Sequence, residues 1–241
     1  MKKILAFAFL SCFLLRAVAG GFVVNAANLP PFCYEINGKP GGIAIEILDQ
    51  VGQTTGIDFR YRFLPWIRAQ LETQVANDAL VIPLTRLEER ERDYEWIAPL
   101  FEYRFVIVTK INAPPIRTLD DLQSLTIGVL RGNPMEARLL QMGLDNIRSV
   151  KSEDDLARQL RTGLIDAWVV ADLAAKQIYR RTAGTPDELR FSMKIGDPMW
   201  VYLAASRGFP ISEQRRIAMA VAQLHRTGAI DRIVDKYRAQ Q

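Results

Sequence analysis

The sequence predicts an α/β fold. Short apolar stretches with the length of buried strands alternate with longer segments whose apolar residues recur at helical spacing. This alternation continues through most of the chain, which favours layers of helices on a sheet over a sandwich or a helical bundle. About 220 residues remain after an N-terminal leader, enough for one large domain or two small ones.

The first hundred residues predict a β-α-β-α-β order. The charged stretch 86–95 is too polar for a core and predicts a loop or an exposed helical turn. Gly56 is placed to end the first helix. The expected elements are a strand at Phe22–Ala26, a helix from Ile43, a strand at Asp58–Phe63, a helix at Trp66–Val75 and a strand at Ala79–Leu84.

A second unit follows a strand at Phe105–Thr109 and the stiff connector Ala113–Pro115. Thr118 with Asp121, and Ser152 with Asp155, have the spacing of an N-cap and its acidic partner, which predicts two helix starts. The remaining expected elements are strands at Thr126–Leu130 and Asp166–Val170, a helix at Asp172–Arg181, a helix from Pro210 to Gly228 and a last amphipathic helix through Ile230 and Tyr237.

The N-terminus has the pattern of a secretion signal. Lys2 and Lys3 precede the apolar run Ile4–Leu15, and Ala17-Val18-Ala19 forms a small-residue cleavage site. A transmembrane anchor is the alternative, but about 12 apolar residues fall short of the roughly 20 that span a bilayer. We therefore expect residues 1–19 to be a cleaved signal peptide and the mature protein to be periplasmic.

Charge and cysteine content exclude several function classes. The predicted signal contains three of the 31 basic residues and no acid, leaving a net charge of about +1. Such a chain offers no polycation for nucleic acid or a membrane surface. Removal of the signal takes away Cys12 and leaves Cys33 without a disulfide partner. Because the chain also has only one histidine, His225, a metal site or a Cys-His catalytic pair has little support. We expect a buried structural Cys33, no cofactor and a monomer.

Seven local patterns, in this order, resemble the family-three periplasmic solute-binding proteins, the receptors of polar amino-acid uptake systems. The patterns are Leu29-Pro30-Pro31-Phe32, Gly42–Ile47, Pro65-Trp66-Ile67-Arg68, Thr85–Arg90 with Trp96–Leu100, Leu119–Leu122 with Ile127–Gly132, Gly163–Ala167 and Thr227–Ile233. The resemblance implies a two-lobed type II binding-protein fold with the ligand in the cleft. Lobe I would comprise residues 20–104 and 200–241, and an inserted lobe II residues 105–199, joined by two hinge strands.

The resemblance also implies a ligand-carboxylate site at Arg90, which stands six residues before Trp96. A guanidinium binds a carboxylate through two parallel hydrogen bonds, which lysine cannot do. The alternative is that Arg90 is one of several surface charges in a loop rich in glutamate. Thr85 matches a small hydroxylic position that binds the same carboxylate, or is simply a strand-end hydroxyl. Arg86 is expected to pair with a loop glutamate, and the alternative is that it contacts a second acidic group of the ligand.

The same resemblance suggests contacts from the second lobe. Asp172 would pair with the ligand ammonium, or would cap the helix that follows it. Asn133 and Met135 would offer backbone N–H groups at a helix start, where Pro134 has none. Apolar walls of the cleft are expected from Trp66, Phe32 and Tyr34.

These features predict a receptor that captures a small polar solute, such as an amino acid or a related carboxylate, by hinge closure and presents it to an ABC-type membrane permease. Two alternatives stay open. One is a periplasmic enzyme of the same fold, such as a cyclohexadienyl-type dehydratase, with Asp172 or Glu46 as the general acid. The other is a ligand sensor for a membrane receptor.

Overall fold

The computed structural model describes residues 21–239, which contain ten strands and seven α-helices. The strands are β1 Phe22–Ala26, β2 Tyr34–Ile36, β3 Lys39–Gly41, β4 Phe59–Phe63, β5 Leu80–Thr85, β6 Glu95–Lys110, β7 Ile127–Leu130, β8 Ile147–Val150, β9 Ala167–Ala171 and β10 Leu189–Ala205. The helices are α1 Ile43–Thr55, α2 Trp66–Val75, α3 Pro134–Gln141, α4 Glu153–Thr162, α5 Ala175–Arg181, α6 Ile211–Arg226 and α7 Ala229–Arg238. The predicted α/β class is confirmed.

Eight strands form one mixed sheet in the order β4-β1-β5-β10-β6-β9-β7-β8. Strands β4, β1 and β5 are parallel and form the first half of the sheet, whereas β9, β7 and β8 are parallel and form the second half. The long strands β6 and β10 pair with each other antiparallel and join the two halves. Val201 of β10 pairs with Thr85 of β5, and Phe105 of β6 pairs with Ala171 of β9.

Local sequence explains where the helices begin and end. The α1 helix buries Ile43, Ile47 and Val51 on one face and ends at Gly56, whose φ of 73° is the left-handed conformation that glycine adopts freely. Ser152 accepts a hydrogen bond from the backbone N–H of Asp155 and starts α4, as its spacing predicts. The capping pattern at residue 152 is therefore confirmed.

Two predicted helix starts were wrong. Residues Asp120–Leu122 form only one turn of 3₁₀-helix, because the Asp121 carboxylate accepts the N–H groups of Arg117 and Thr118 at 2.8 and 2.9 Å and closes a turn. The helix expected from Asp172 begins at Ala175, three residues later. Asp172 is therefore not the N-cap of that helix.

Three other predictions concern strands, Cys33 and the leader. The β6 strand begins at Glu95, so the predicted strand at Phe105–Thr109 is only the end of a longer element. Cys33 is fully buried, as predicted, and burial raises the pKa of its thiol to about 12. The expected signal peptide, residues 1–19, lies outside the described residues. Within residues 21–239 every helix is too short or too polar to traverse a bilayer.

Candidate functional site

A cavity lies where the carboxyl ends of β1, β5, β7 and β9 meet the middle of β6 and β10. Its volume is about 540 Å³, part of which is open to solvent. Ligands in open α/β sheets bind at this edge, because helix starts and loops converge there. The lining residues with polar side chains are Thr85, Arg90, Tyr103, Asn133 and Glu153, and the apolar ones include Leu29, Pro30, Phe32, Trp66, Phe105, Leu130 and Ile178.

Arg90 points into this cavity from the 3₁₀ turn Glu88–Arg90 that follows β5. Its guanidinium donates to the carbonyl oxygens of Thr85, at 3.2 Å, and Gly132, at 2.8 Å. None of the ion pairs formed by residues 21–239 includes it. Burial lowers the pKa of Arg90 from its ordinary value, yet an arginine stays charged. Arg90 is therefore a half-buried cation that faces the cavity without a carboxylate.

The neighbouring Arg86 takes the surface role that was the alternative for Arg90. Its guanidinium makes two hydrogen bonds to Glu91, at 2.6 and 3.0 Å, and lies 5.5 Å from the ring centres of Trp96 and Tyr202. The prediction that Arg86 pairs with a loop glutamate is confirmed. In this loop, Arg86 is exposed and paired with a carboxylate, whereas Arg90 faces the cavity.

Thr85 and Tyr103 form a buried polar contact in the cavity wall. The two hydroxyls are 2.8 Å apart, and each residue is 6% exposed or less. Burial raises the pKa of the Tyr103 hydroxyl, so it stays protonated and can donate. Phe32 packs with its ring centre 5.3 Å from the ring centre of Tyr103, and with Trp66 it completes an aromatic wall.

Asn133 lies on the facing side, at the start of α3. Its side-chain oxygen accepts the backbone N–H groups of Met135, at 2.8 Å, and Glu136, at 3.1 Å. The Asn133 N–H itself donates to the carbonyl of Leu130. Both backbone donors expected to bind a ligand carboxylate therefore have partners in the chain. The side-chain Nδ2 of Asn133 is buried and has no partner within residues 21–239, so it is the donor available here.

Glu153 is a cavity residue that was not predicted from the sequence. It is the first residue of α4, is 7% exposed, and its carboxylate accepts a hydrogen bond from Trp168 Nε1 at 2.8 Å. Burial raises the pKa of Glu153 to about 8, and the Trp168 hydrogen bond opposes that rise. Its position directly after the cap Ser152, at the carboxyl end of β8, was the signal that could have identified it.

Three residues proposed from sequence do not line the cavity. Met135, the second residue of α3, is fully buried. Tyr34 lies against Gly41 in the β2–β3 hairpin and close to Tyr237 of α7. Asp172 is half-buried, and its Oδ1 accepts the backbone N–H groups of Arg104 at 3.2 Å and Leu173 at 2.9 Å. Its role as ligand partner stays a prediction.

Glu46, considered as a general acid, also lies away from the cavity. Its carboxylate accepts hydrogen bonds from Lys236 at 2.7 Å and Tyr237 at 2.6 Å, where α1 meets α7. Within residues 21–239 no three histidine, cysteine or carboxylate side chains cluster as a metal site would require. The cavity instead combines one cation, one acid, neutral donors and apolar walls, an arrangement that can hold a small solute with charged ends.

Two curated relatives of this chain are named as binding proteins. The probable amino-acid-binding protein YxeM of Bacillus subtilis is 23% identical over 218 residues, which cover 86% of this chain and 79% of YxeM. The L-cystine-binding protein TcyJ of Escherichia coli is 29% identical over 162 residues, covering 65% of this chain and 60% of TcyJ.

Solved structures share the fold. A histidine kinase sensor domain with similarity to periplasmic binding proteins has a TM-score of 0.82 at 21% identity, covering 90% of this chain and 95% of that one. An ancestral arginine-binding protein has a TM-score of 0.79 at 22% identity, covering 90% and 98%. At these identities the likeness concerns the fold alone, and it confirms the predicted periplasmic binding-protein fold. Residues 22–240 match the sequence profile of one family, so the chain belongs to the bacterial extracellular solute-binding proteins, family 3.

Proposed function

We propose that the protein is a receptor for a small polar solute, an amino acid or a closely related carboxylate, which it binds in the cavity between the two halves of the sheet. The observation that carries the proposal is the inward-facing Arg90. A half-buried guanidinium without an acidic partner, beside the Thr85 hydroxyl and the Asn133 amide, is suited to a carboxylate. The cavity walls Phe32 and Trp66 then cover the rest of the solute.

Binding would be coupled to hinge closure. The pairing of β6 with β10 loses its regular register between Ile195 and Met199, opposite Tyr103 and Phe105. Gly196, inside this irregular segment, has a φ of 73°. The interruption lies at the predicted boundaries between lobe I, residues 20–104 and 200–241, and lobe II, residues 105–199. Such a break in the ladder is where two lobes could rotate, and a solute that touches both would favour the closed form.

We further propose that the closed, loaded protein delivers its solute to an ABC-type permease from the periplasm. Support comes from the family, which is extracellular, and from a similar solved structure that is the substrate-binding protein of an amino-acid ABC transporter. YxeM and TcyJ are named for amino acid and L-cystine binding. The expected signal peptide and the expected monomer are also consistent with a receptor that binds a membrane permease.

Isothermal calorimetry with the twenty L-amino acids and L-cystine tests the proposal. We expect at least one of them to bind with one solute per chain, and the same solute to lose most of its affinity when Arg90 is replaced by alanine. An absence of binding across the panel would reject the amino-acid proposal. Unchanged binding by Arg90→Ala would reject the assignment of the carboxylate site.

One observation, the presence of the buried Glu153 in the cavity, favours the enzymatic alternative. A dehydratase requires a general acid in the cavity, and a buried carboxyl whose pKa is raised to about 8 by burial keeps its proton near neutral pH. The expected acids Glu46 and Asp172 do not line the cavity, so Glu153 would take this role. Incubation with cyclic hydroxy acids, followed by detection of a dehydrated product, distinguishes an enzyme from a receptor.

A further inference from the structure

Glu153 lies at the junction of two spaces. It lines the cavity, and it also lines an outer cleft formed by the loop after β1, the start of α2 and the start of α4. Leu29, Trp66 and Leu130 line both spaces as well, whereas Arg90 and Thr85 line only the cavity. A solute whose carboxylate is held at Arg90 therefore has its other end free to extend toward Glu153 and the outer cleft.

The Glu153 carboxyl has no cationic partner among residues 21–239. Its hydrogen-bond donor is the neutral Trp168 indole, and no ion pair in this part of the chain includes it. Arg181, a cation that lines the outer cleft, is bonded to Asp154 at 2.5 Å and to Asn28 at 3.1 Å. The other titratable or charged groups around the two spaces are Arg90, Tyr103 and Lys151.

We propose that Glu153 is a specificity-determining residue that binds a cationic group at the distal end of the solute, so that the solute class is a basic amino acid or an analogue with a terminal guanidinium or ammonium. This inference rests on the proposed amino-acid function and narrows its ligand. A buried carboxylate without a cation is costly, and a solute that supplies one removes that cost. Trp66, on the wall shared by both spaces, offers an aromatic face of the kind that attracts such a cation.

The first test compares solutes that differ only in the distal charge. L-arginine and L-citrulline have nearly the same shape, and L-norleucine lacks the terminal ammonium of L-lysine. In calorimetry, the wild-type protein is expected to bind each charged solute with about tenfold or greater affinity than its uncharged counterpart. This ratio corresponds to the free energy of one charge-assisted hydrogen bond. In Glu153→Gln this preference should fall by about the same factor, because the amide keeps the Trp168 contact but has no charge.

Asp155→Asn is the matched control. Asp155 lies in the same first turn of α4, pairs with Arg158 and lines neither space, so this variant should retain the wild-type preference.

A second measurement is the number of protons released on binding. Because the pKa of Glu153 is raised by burial, ionisation on binding L-arginine at pH 7 should release close to one proton per solute, and Glu153→Gln should release none.

The outcomes separate this inference from the function on which it rests. No binding of any L-amino acid by the wild-type protein would overturn both. Binding of L-norleucine as tightly as L-lysine, with loss of binding in Arg90→Ala, would keep the receptor proposal and overturn the Glu153 assignment. A full arginine preference retained by Glu153→Gln would also overturn it.

Discussion

The guanidinium of Arg90 donates a hydrogen bond to the carbonyl oxygen of Gly132 at 2.8 Å. The two residues come from opposite halves of the sheet, Arg90 from the turn after β5 and Gly132 from the turn before α3. A single side chain thus holds together the two elements between which the solute is proposed to bind. Its remaining hydrogen-bonding capacity, beyond the carbonyls of Thr85 and Gly132, is directed to the cavity.

Replacing Arg90 by lysine keeps the positive charge and removes the planar fork of donors. We expect solute affinity to fall by about 10- to 100-fold, because one or more charge-assisted hydrogen bonds are lost. Calorimetry with the tightest-binding amino acid measures the change. Arg86→Lys, four residues away and paired with Glu91 at the surface, should bind within about twofold of wild type. Equal losses in the two variants would contradict the assignment.

Gly132 is expected to resist substitution because of its backbone conformation. Its φ is 75°, and a Cβ built there would overlap Cδ1 of Ile67. Gly143 is a matched control, since its φ is 77° and a Cβ there would meet no atom within 4 Å. Each alanine variant should lose about 1 kcal/mol from backbone strain, and Gly132→Ala little more, because Cδ1 is the far end of the exposed Ile67 side chain and can move aside. Urea unfolding measures both, and an unchanged midpoint in either variant would refute the strained backbone conformation at that glycine.

The contact between Thr85 and Tyr103 should stabilise the cavity wall. Tyr103→Phe removes one hydroxyl and leaves the buried Thr85 hydroxyl without its partner, which costs about 1–2 kcal/mol of unfolding free energy. Thr85→Val should cost a similar amount, and the double variant less than the sum of the two. Strict additivity in a double-mutant cycle would show that the two hydroxyls do not interact.

Glu153 should make the stability of the unliganded protein depend on pH. Burial raises its pKa from 4.5 to about 8, so between these values the folded protein holds a proton that the unfolded chain has released. Stability from this group is therefore full below pH 4.5 and is lost as pH rises toward 8. Relative to wild type, the unfolding free energy of Glu153→Gln should be higher by roughly 2–4 kcal/mol at pH 8 and nearly equal near pH 4. Parallel stability curves for the two proteins would contradict this.

The sequence predicted the fold class and most element positions, because these follow from local periodicity and capping. Helix Trp66–Val75 and strand Phe22–Ala26 lie where the apolar spacing places them. The full length of β6 and β10 was not predicted, since these strands are set by pairing with each other across about 80 to 110 residues of chain.

Five of the residues predicted to bind the ligand lie around one cavity, and their contact with a solute stays a prediction. Arg90, Thr85, Trp66, Phe32 and Asn133 all line the cavity. Tyr103 and Glu153 were not predicted. Tyr103 lies within the long strand β6, and Glu153 is one of three acids in a helix turn, distinguished only by its position directly after the cap Ser152.

The most direct measurement is a crystal structure of the protein with its tightest-binding amino acid. The proposed function predicts the solute in the cavity between the two halves of the sheet, with its carboxylate within hydrogen-bond distance of the Arg90 guanidinium. A solute bound elsewhere, or one in the cavity whose carboxylate contacts other groups while Arg90 stays bonded only to Thr85 and Gly132, would contradict it.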